Sequence, residues 1–347
     1  MTKLEENIVA MIEAEGPMPL DRYMAICLGH PTHGYYMTRD PFGASGDFTT
    51  SPEISQVFGE LIGVWLLNSW AALGSAKTFA LVELGPGRGT LMADILRAVK
   101  AVPEFANGAE VHLVETSPAL RSLQKEKLGE VIWHDTVESL PAMPCFIIAN
   151  EFFDALPIQQ FENRAGRWFQ RCVGYGDGTL KMGLVPAAPM LGEEGLHEVS
   201  PVSKAIAEDL GSHIAKHGGV VLVVDYGHLK TAVGDTLQAL RKHEFVSVLD
   251  GPGESDITAH VDFEALAVSF MSGGADLLPM LTQSQFLKAM GLDLRTEKLA
   301  AKLAGQVKKD FIAASTRLAD ADQMGNLFKV MAVAQKVRQP IYPFEAT

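Results

Sequence analysis

Residues 83–91 read ELGPGRGTL, three glycines at alternate positions in a short loop with a carboxylate just ahead of them. The run before it, TFALVEL at 78–84, is apolar, and the run after it places Leu91, Met92, Ile95, Leu96 and Val99 on one helical face. Strand, glycine turn and helix in that order set backbone N–H groups and a helix N-terminus beside a ligand. Glycines let the ligand approach where a Cβ would collide. The stretch therefore predicts a nucleotide-type site at one edge of a sheet.

The spacing narrows the ligand. Gly85, Gly87 and Gly89, with Pro86 between the first two, form GxGxG, and Thr90 stands where the dinucleotide fingerprint GxGxxG places its third glycine. No GK[ST] follows, so a P-loop is excluded. Glu83 would repel a pyrophosphate but favour an ammonium or sulfonium. Glu115, followed by Thr116 at the end of the second predicted strand, is placed to accept hydrogen bonds from ribose hydroxyls. Asp135, after the third, is either an adenine contact or a solvated loop acid. S-adenosyl-L-methionine, an adenosyl ligand with positive charge, meets both Glu83 and Glu115.

Outward from the loop, short apolar runs alternate with helical ones. EVHLVE, EVIW, PCFIIAN, GVVLVVDYG and a late LFKVMAVAQK read as further strands, and the alternation predicts a doubly wound α/β sheet. After the second strand, Ser117 and Pro118 suit an N-cap and first turn. The organisation expected is a helical N-terminal segment over 1–75 packing on the core, an α/β domain over 76–335 and a tail over 336–347. Insertions are expected near 158–200, as hairpins, and 250–305, mainly helical. In the N-terminal segment helices are expected near 3–15, 19–28 and 53–72, the last opened by Thr50 or Ser51, with Thr50 and Glu53 at capping-box spacing. Thr282 and Gln285 form a second capping box and Gly291 a stop.

The chain has 347 residues, long enough to bury a substantial core. Its 29 basic and 42 acidic residues give a net charge of −13, which argues against extended binding to nucleic acid or anionic lipid. The three cysteines are widely spaced, with neither a disulfide framework nor a zinc pattern. HPTH at 30–33 and HVD at 260–262 are too sparse for a metal site, and none is expected. The acidic start is unlike a targeting peptide, and the apolar stretch GELIGVWLLNSWAAL is short and glycine-interrupted for a membrane span, so stable membrane insertion is not expected and a cytoplasmic location is. That stretch is either a core helix or a docking face.

NEFFDALP follows the fourth strand, at the edge where ligands bind in open α/β folds. Asn150 is expected nearer the cofactor, with Glu151 and Asp154 clamping an acceptor; the alternative for Asp154 is a helix cap. His260 could accept a proton, and Asp262 caps a helix or contacts substrate.

GDFTTSPEISQVFGELIG at 46–63, VELGPGRGTLMADILR at 82–97, HLVETSPALRSLQ at 112–124, IIANEFFDALPIQQF at 147–161, VVDYGH at 223–228, GESDITAHVDF at 253–263 and MGNLFKVMA at 324–332 closely resemble the MidA family. This is the S-adenosylmethionine-dependent methyltransferase family whose mitochondrial member assists respiratory complex I assembly by methylating an arginine of one subunit. The resemblance implies a class I (Rossmann-like) methyltransferase sheet, S-adenosyl-L-methionine as cofactor, and Gly46, Asp47 and Phe48 lying over it. It further implies a protein arginine as acceptor. With no mitochondrial targeting segment, the chain looks like a bacterial relative acting on an NADH dehydrogenase subunit. Two rivals stay open: an assembly factor that uses the fold to bind a partner, and a nucleotide-dependent oxidoreductase.

Overall fold

The computed structural model describes residues 2–38, 49–336 and 340–344. Its central sheet contains β1 (Phe79–Leu84), β2 (Ala109–Val114), β3 (Ile132–His134) and β4 (Cys145–Asn150). After β4 the chain leaves the sheet for an antiparallel insertion of β5 (Gln159–Arg164), β6 (Arg167–Gly176), β7 (Thr179–Pro186) and β8 (Gly195–Val199). It returns as β9 (Gly219–His228) and later β10 (Phe328–Ala334). The order across the central sheet is β10, β9, β4, β1, β2, β3, with β10 antiparallel to its neighbour and the others parallel. This is the doubly wound sheet expected from the alternation.

Side-chain parity explains why these runs had to be strands. On β1, Phe79 and Leu81 enter one core while Ala80, Val82 and Leu84 enter another; on β4, Phe146 and Ile148 are separated in the same way from Cys145, Ile147 and Ala149. Every residue of both strands is buried, as parallel strands with helices on both faces require. On the first face lie α3 (Gln56–Ala72) and α4 (Thr90–Val99), and α5 (Pro118–Leu128) follows β2. On the second lie α6 (Pro201–His217) and α7 (Phe263–Ser272). Helices α8 (Gln283–Ala289), α9 (Leu292–Ala300) and α10 (Gly305–Ala319) extend the first core, where Phe286 packs edge-on against Trp65.

The N-terminal segment is split between two cores. Helices α1 (Lys3–Glu15) and α2 (Leu20–Gly29) pack with the insertion, in a cluster joining Leu4, Ile8, Tyr23 and Met24 to Ile158, Val173 and Leu180. Met18 and Pro19 pair with Val173 and Cys172 of β6. Helix α3, with Ile54 of the turn before it, packs on the sheet.

Three local expectations are corrected. The helix expected over 53–72 breaks at Ser55, whose φ of −157° and ψ of 130° separate a turn over Ser51–Ile54 from α3. The Thr50–Glu53 capping box does not form: Thr50 makes no side-chain cap bond, and Glu53 accepts 2.6 Å from the Thr90 hydroxyl. A tertiary partner has displaced the local one. Residues 250–262 hold a strand, Asp256–Thr258, which is the third in a small sheet with Gln238–Arg241 and Glu244–Val246, and helix begins only at Phe263. The Thr282–Gln285 capping box forms as expected, and Asp262 caps α7 by accepting from the Ala265 N–H at 3.0 Å.

The apolar helix α3 is a core element, with Val57, Phe58, Leu61, Ile62, Trp65 and Leu66 buried. Its glycines admit α4: a Cβ on Gly59 would stand 2.6 Å from Asp94 Cβ, and one on Gly63 3.0 Å from Ala98 Cβ. No helix among the described residues is long and apolar enough to cross a membrane.

Gly59→Ala sets two effects against each other. Helix propensity favours alanine by about 1 kcal/mol, and overpacking costs about 1–3 kcal/mol. At 2.6 Å the clash prevails, so a lower midpoint in urea denaturation is expected; an unchanged or higher one would show that α3 and α4 separate freely.

Candidate active site

The strand order reverses between β1 and β4, because the chain runs outward through β2 and β3 before returning to pair on the other side of β1. Open α/β folds bind ligands at such a crevice. Here a cavity of about 1090 Å³ opens at the carboxyl ends of these strands. Glu83, Gly85, Pro86, Gly87, Thr90, Glu115, Thr116, Asp135, Asn150, Glu151, Asp154 and His260 all line it. Gly46, Asp47 and Phe48 lie outside the described residues.

The glycine turn works through backbone conformation. Gly85 and Gly87 have φ of 58° and 52°, in the left-handed region, and a Cβ on Gly85 would stand 3.0 Å from the Phe152 ring. Gly89 does not line the cavity. It precedes α4 with φ of 74°, and its missing side chain makes room for Leu128. The Gly87 carbonyl accepts 2.7 Å from Gln124 Nε2, and the same amide nitrogen is 3.3 Å from Glu115 Oε2. Gln124 thus joins the turn to the end of β2, a role with no signal in the local sequence.

Glu83 and Asn150 lie on the same face of neighbouring strands, and Glu83 Oε2 and Asn150 Oδ1 are buried without a hydrogen-bond partner among the described residues. Burial pushes the Glu83 carboxyl up to about 8, against the opposing pull of the Met92 N–H and Lys127. Glu115 accepts 2.7 Å from the Ser117 N–H and is also raised, chiefly by burial. Thr90 donates to Glu53 and accepts 2.6 Å from Lys127 Nζ. Asp135 is exposed and paired at 2.6 Å with Arg121, which also donates to the Glu115 carbonyl at 2.7 Å and so ties β2 to β3.

The loop after β4 carries two further carboxylates that line the cavity. Glu151 has φ of 49°, rare for a residue with a side chain, and its Oε1 accepts from the Ser51 N–H at 2.9 Å and Asn150 Nδ2 at 3.1 Å. Burial raises it to about 7, with Asp154 adding to the shift. Asp154 is raised to about 6, again chiefly by burial, with the nearby Tyr226 hydroxyl drawing it down. The chain after Asp154 runs into β5 and not into a helix, so Asp154 caps none, and its Oδ1 has no partner among the described residues.

What holds this loop is Asp225, at the end of β9. Its Oδ2 accepts from the N–H groups of Phe152, Phe153 and Asp154 at 3.2, 3.0 and 3.3 Å, and its Oδ1 from that of Tyr226 at 2.9 Å. His260 lines the far side, with its ring edge-on to Tyr226 and its pKa lowered, first by burial and then by His228. It is therefore neutral near pH 7.

A site with a glycine cradle, a buried carboxylate oxygen beside it that has no partner among the described residues, and a second buried acid at the end of β2 has the donor set for a cationic adenosyl ligand. Residues 61–279 match the family described as "Putative S-adenosyl-L-methionine-dependent methyltransferase". The chain belongs to that family. Its cofactor is S-adenosyl-L-methionine, and the orphaned Glu83 and Asn150 oxygens fit one. The chain is 35% identical over 96% of its length to the mitochondrial protein arginine methyltransferase NDUFAF7 of Xenopus tropicalis, covering 86% of it. The human protein of that name is also 35% identical over 96% of the chain, with 83% covered. A Burkholderia thailandensis protein described as a "COG1565 superfamily member and likely methyl transferase", bound to S-adenosyl-homocysteine, superposes with a TM-score of 0.85. That match is 27% identical and covers 97% of this chain and 92% of the other.

Two outcomes are expected of this methyltransferase site. Gly87→Val, at a φ of 52° that a β-branched residue resists, should abolish S-adenosylhomocysteine binding in isothermal titration; undiminished binding would remove the turn from the cofactor site. Glu83, Glu151 and Asp154 all hold protons more tightly folded than unfolded. Their contribution to stability is therefore complete below about pH 4 and lost as pH rises through the folded values of about 6, 7 and 8. Thermal melts of cofactor-free protein should fall from pH 6 to 8.5, and Glu83→Gln should flatten the alkaline part; a parallel decline in the variant would refute the assignment.

Proposed function

We propose that this enzyme transfers the methyl group of S-adenosyl-L-methionine to an arginine of a protein substrate, with a subunit of a bacterial NADH dehydrogenase as its target, and that it acts in the cytoplasm. The observation that carries the acceptor is the pair Glu151 and Asp154 beside the cofactor cradle, Glu151 half-buried and Asp154 buried with an oxygen that has no partner among the described residues. The name borne by the relatives, protein arginine methyltransferase, supports the same acceptor.

On this reading Glu83, Asn150 and the turn at Gly85, Pro86 and Gly87 hold the cofactor's charged end, and Glu115, Thr116 and Asp135 its adenosine. Bound there, the cofactor supplies a methyl group already activated by positive sulfur. An arginine arrives protonated and must be oriented and relieved of a proton as its new N–C bond forms. Glu151 and Asp154 accept its N–H groups, aligning one nitrogen for in-line attack. With pKa values raised to about 7 and 6, either can take the released proton near neutral pH. His260, neutral and across the cavity, is an alternative acceptor for it.

The test is to incubate the enzyme with methyl-labelled S-adenosyl-L-methionine and separately purified subunits of a bacterial NADH dehydrogenase, then locate the label by mass spectrometry. Label on an arginine of one subunit is expected, lost in Glu151→Gln while S-adenosylhomocysteine still binds. Label on another residue type would overturn the acceptor, and no labelled subunit would overturn the target.

A further inference from the structure

The turn at Ser51–Ile54 is bonded to both sides of the site. Ser55, with φ of −157°, breaks it from α3, so the helix does not by itself fix how the turn is oriented. Two of its backbone donors are satisfied locally: the N–H groups of Glu53 and Ile54 donate to the Thr50 carbonyl at 3.0 and 3.1 Å. Pro52 has no N–H to give. The Ser51 N–H is left to reach outward, and it donates 2.9 Å to Glu151 Oε1, 100 residues ahead in the chain.

Glu53 ties the same turn to the cofactor side. Its spacing from Thr50 suits a local cap, yet its Oε1 accepts 2.6 Å from the hydroxyl of Thr90, the first residue of α4 after the glycine turn. Lys127 Nζ donates 2.6 Å to that hydroxyl oxygen, and an ammonium only donates, so the hydroxyl hydrogen is directed at Glu53. Lys127, Thr90 and Glu53 form a directed chain from α5 through α4 to the turn. Ile54 packs on the first core, but apolar contact is non-directional, whereas hydrogen bonds at Glu53 and Ser51 fix the turn's rotation. Glu151, with φ of 49°, holds a conformation that its surroundings must over-determine.

We propose that Glu53 and Thr90 are positioning residues: by fixing the turn against the glycine loop they aim the Ser51 N–H at Glu151, and so set where its carboxylate stands relative to the methyl donor. The proposal rests on the reading of Glu151 as an acceptor-holding carboxylate and adds what orients it. In-line transfer is sensitive to displacements of about 1 Å, so a tie of this kind acts on turnover more than on cofactor binding.

The direction of one titration separates positioning from charge. The Ser51 N–H favours the charged form of Glu151 and draws its pKa down against burial. Deleting the Glu53 carboxylate from the cavity lining would, through charge alone, lower the pKa of a neighbouring acid; a turn that swings away takes the Ser51 donor with it and raises that of Glu151. Carbon-13 carboxyl NMR of the free full-length enzyme reads this, with the Glu151 signal identified by its loss in Glu151→Gln. Glu53→Ala should raise the Glu151 midpoint by about one pH unit, and Glu53→Gln, whose amide oxygen still accepts from Thr90, should not raise it. On the subunit that wild type methylates, Glu53→Ala should lower kcat about tenfold, with S-adenosylhomocysteine affinity held within about threefold. Thr90→Val combined with Lys127→Met removes the hydroxyl and the ammonium that would take its place, and carries the same titration should Glu53→Ala fail to fold. A Glu151 midpoint unmoved or lowered in the folded variant, or raised equally in Glu53→Gln, would overturn the positioning role and leave the arginine reading standing. Absence of transfer by wild type would instead overturn the arginine reading, while the titration, which needs no substrate, still decides whether the turn orients Glu151.

Discussion

Carboxylates that cannot be solvated sit at the centre of this molecule. Glu83, Asp154 and Asp225 are buried along the carboxyl edge of one sheet, with Glu151 half-buried among them, and burying such an ion costs several kcal/mol unless hydrogen bonds or an opposite charge offset the loss of water. Asp225 is offset from within, by four backbone N–H groups of the loop it organises and its own neighbour. Among the described residues the other three differ: Glu83 and Asp154 each keep an oxygen without a partner, and Glu151 Oε1 accepts from both Ser51 and Asn150. The cavity they line therefore favours a ligand that brings positive charge beside Glu83 and Asp154.

Two parts of the chain meet to make that cavity. The doubly wound sheet provides the glycine turn, the buried Glu115 and the loop after β4. The N-terminal helices, the insertion and the small sheet share a separate core, and the small sheet brings Gln238, Asp256 and Thr258 to the cavity, with Tyr36 bonded to Asp256. Asp154 joins the two halves, its backbone held by Asp225 on one side and by Ala259 on the other. The strained φ of 49° at Glu151 is paid for by this clamping, which turns the carboxylate toward the Ser51 N–H at the start of the turn before α3.

The readings that held were those with strong local causes. Buried strands announce themselves as apolar runs, the glycine turn needs left-handed residues that only glycine supplies cheaply, and Ser117 and Thr282 cap because their partners lie three residues away. Where a distant group competed, local pattern was overruled: Glu53 left its expected cap for Thr90, and the helix expected from 53 broke at Ser55. The strand Asp256–Thr258 escaped notice because three residues are too few to show alternation, and its pattern has meaning only once two different environments flank it.

By itself the sequence determined the α/β sheet, the cradle after β1, the set of acidic residues around it and, through resemblance, the methyltransferase family. These rest on short-range rules: periodicity, the steric freedom of glycine and the spacing of caps. Tertiary structure alone decided that Asp225 holds the loop of Glu151 and Asp154, that Gln124 braces the glycine turn, that Gly89 serves packing and that Tyr36 reaches Asp256. Each of these joins residues far apart in the chain, and the closeness of such pairs is set by which cores the intervening elements fill.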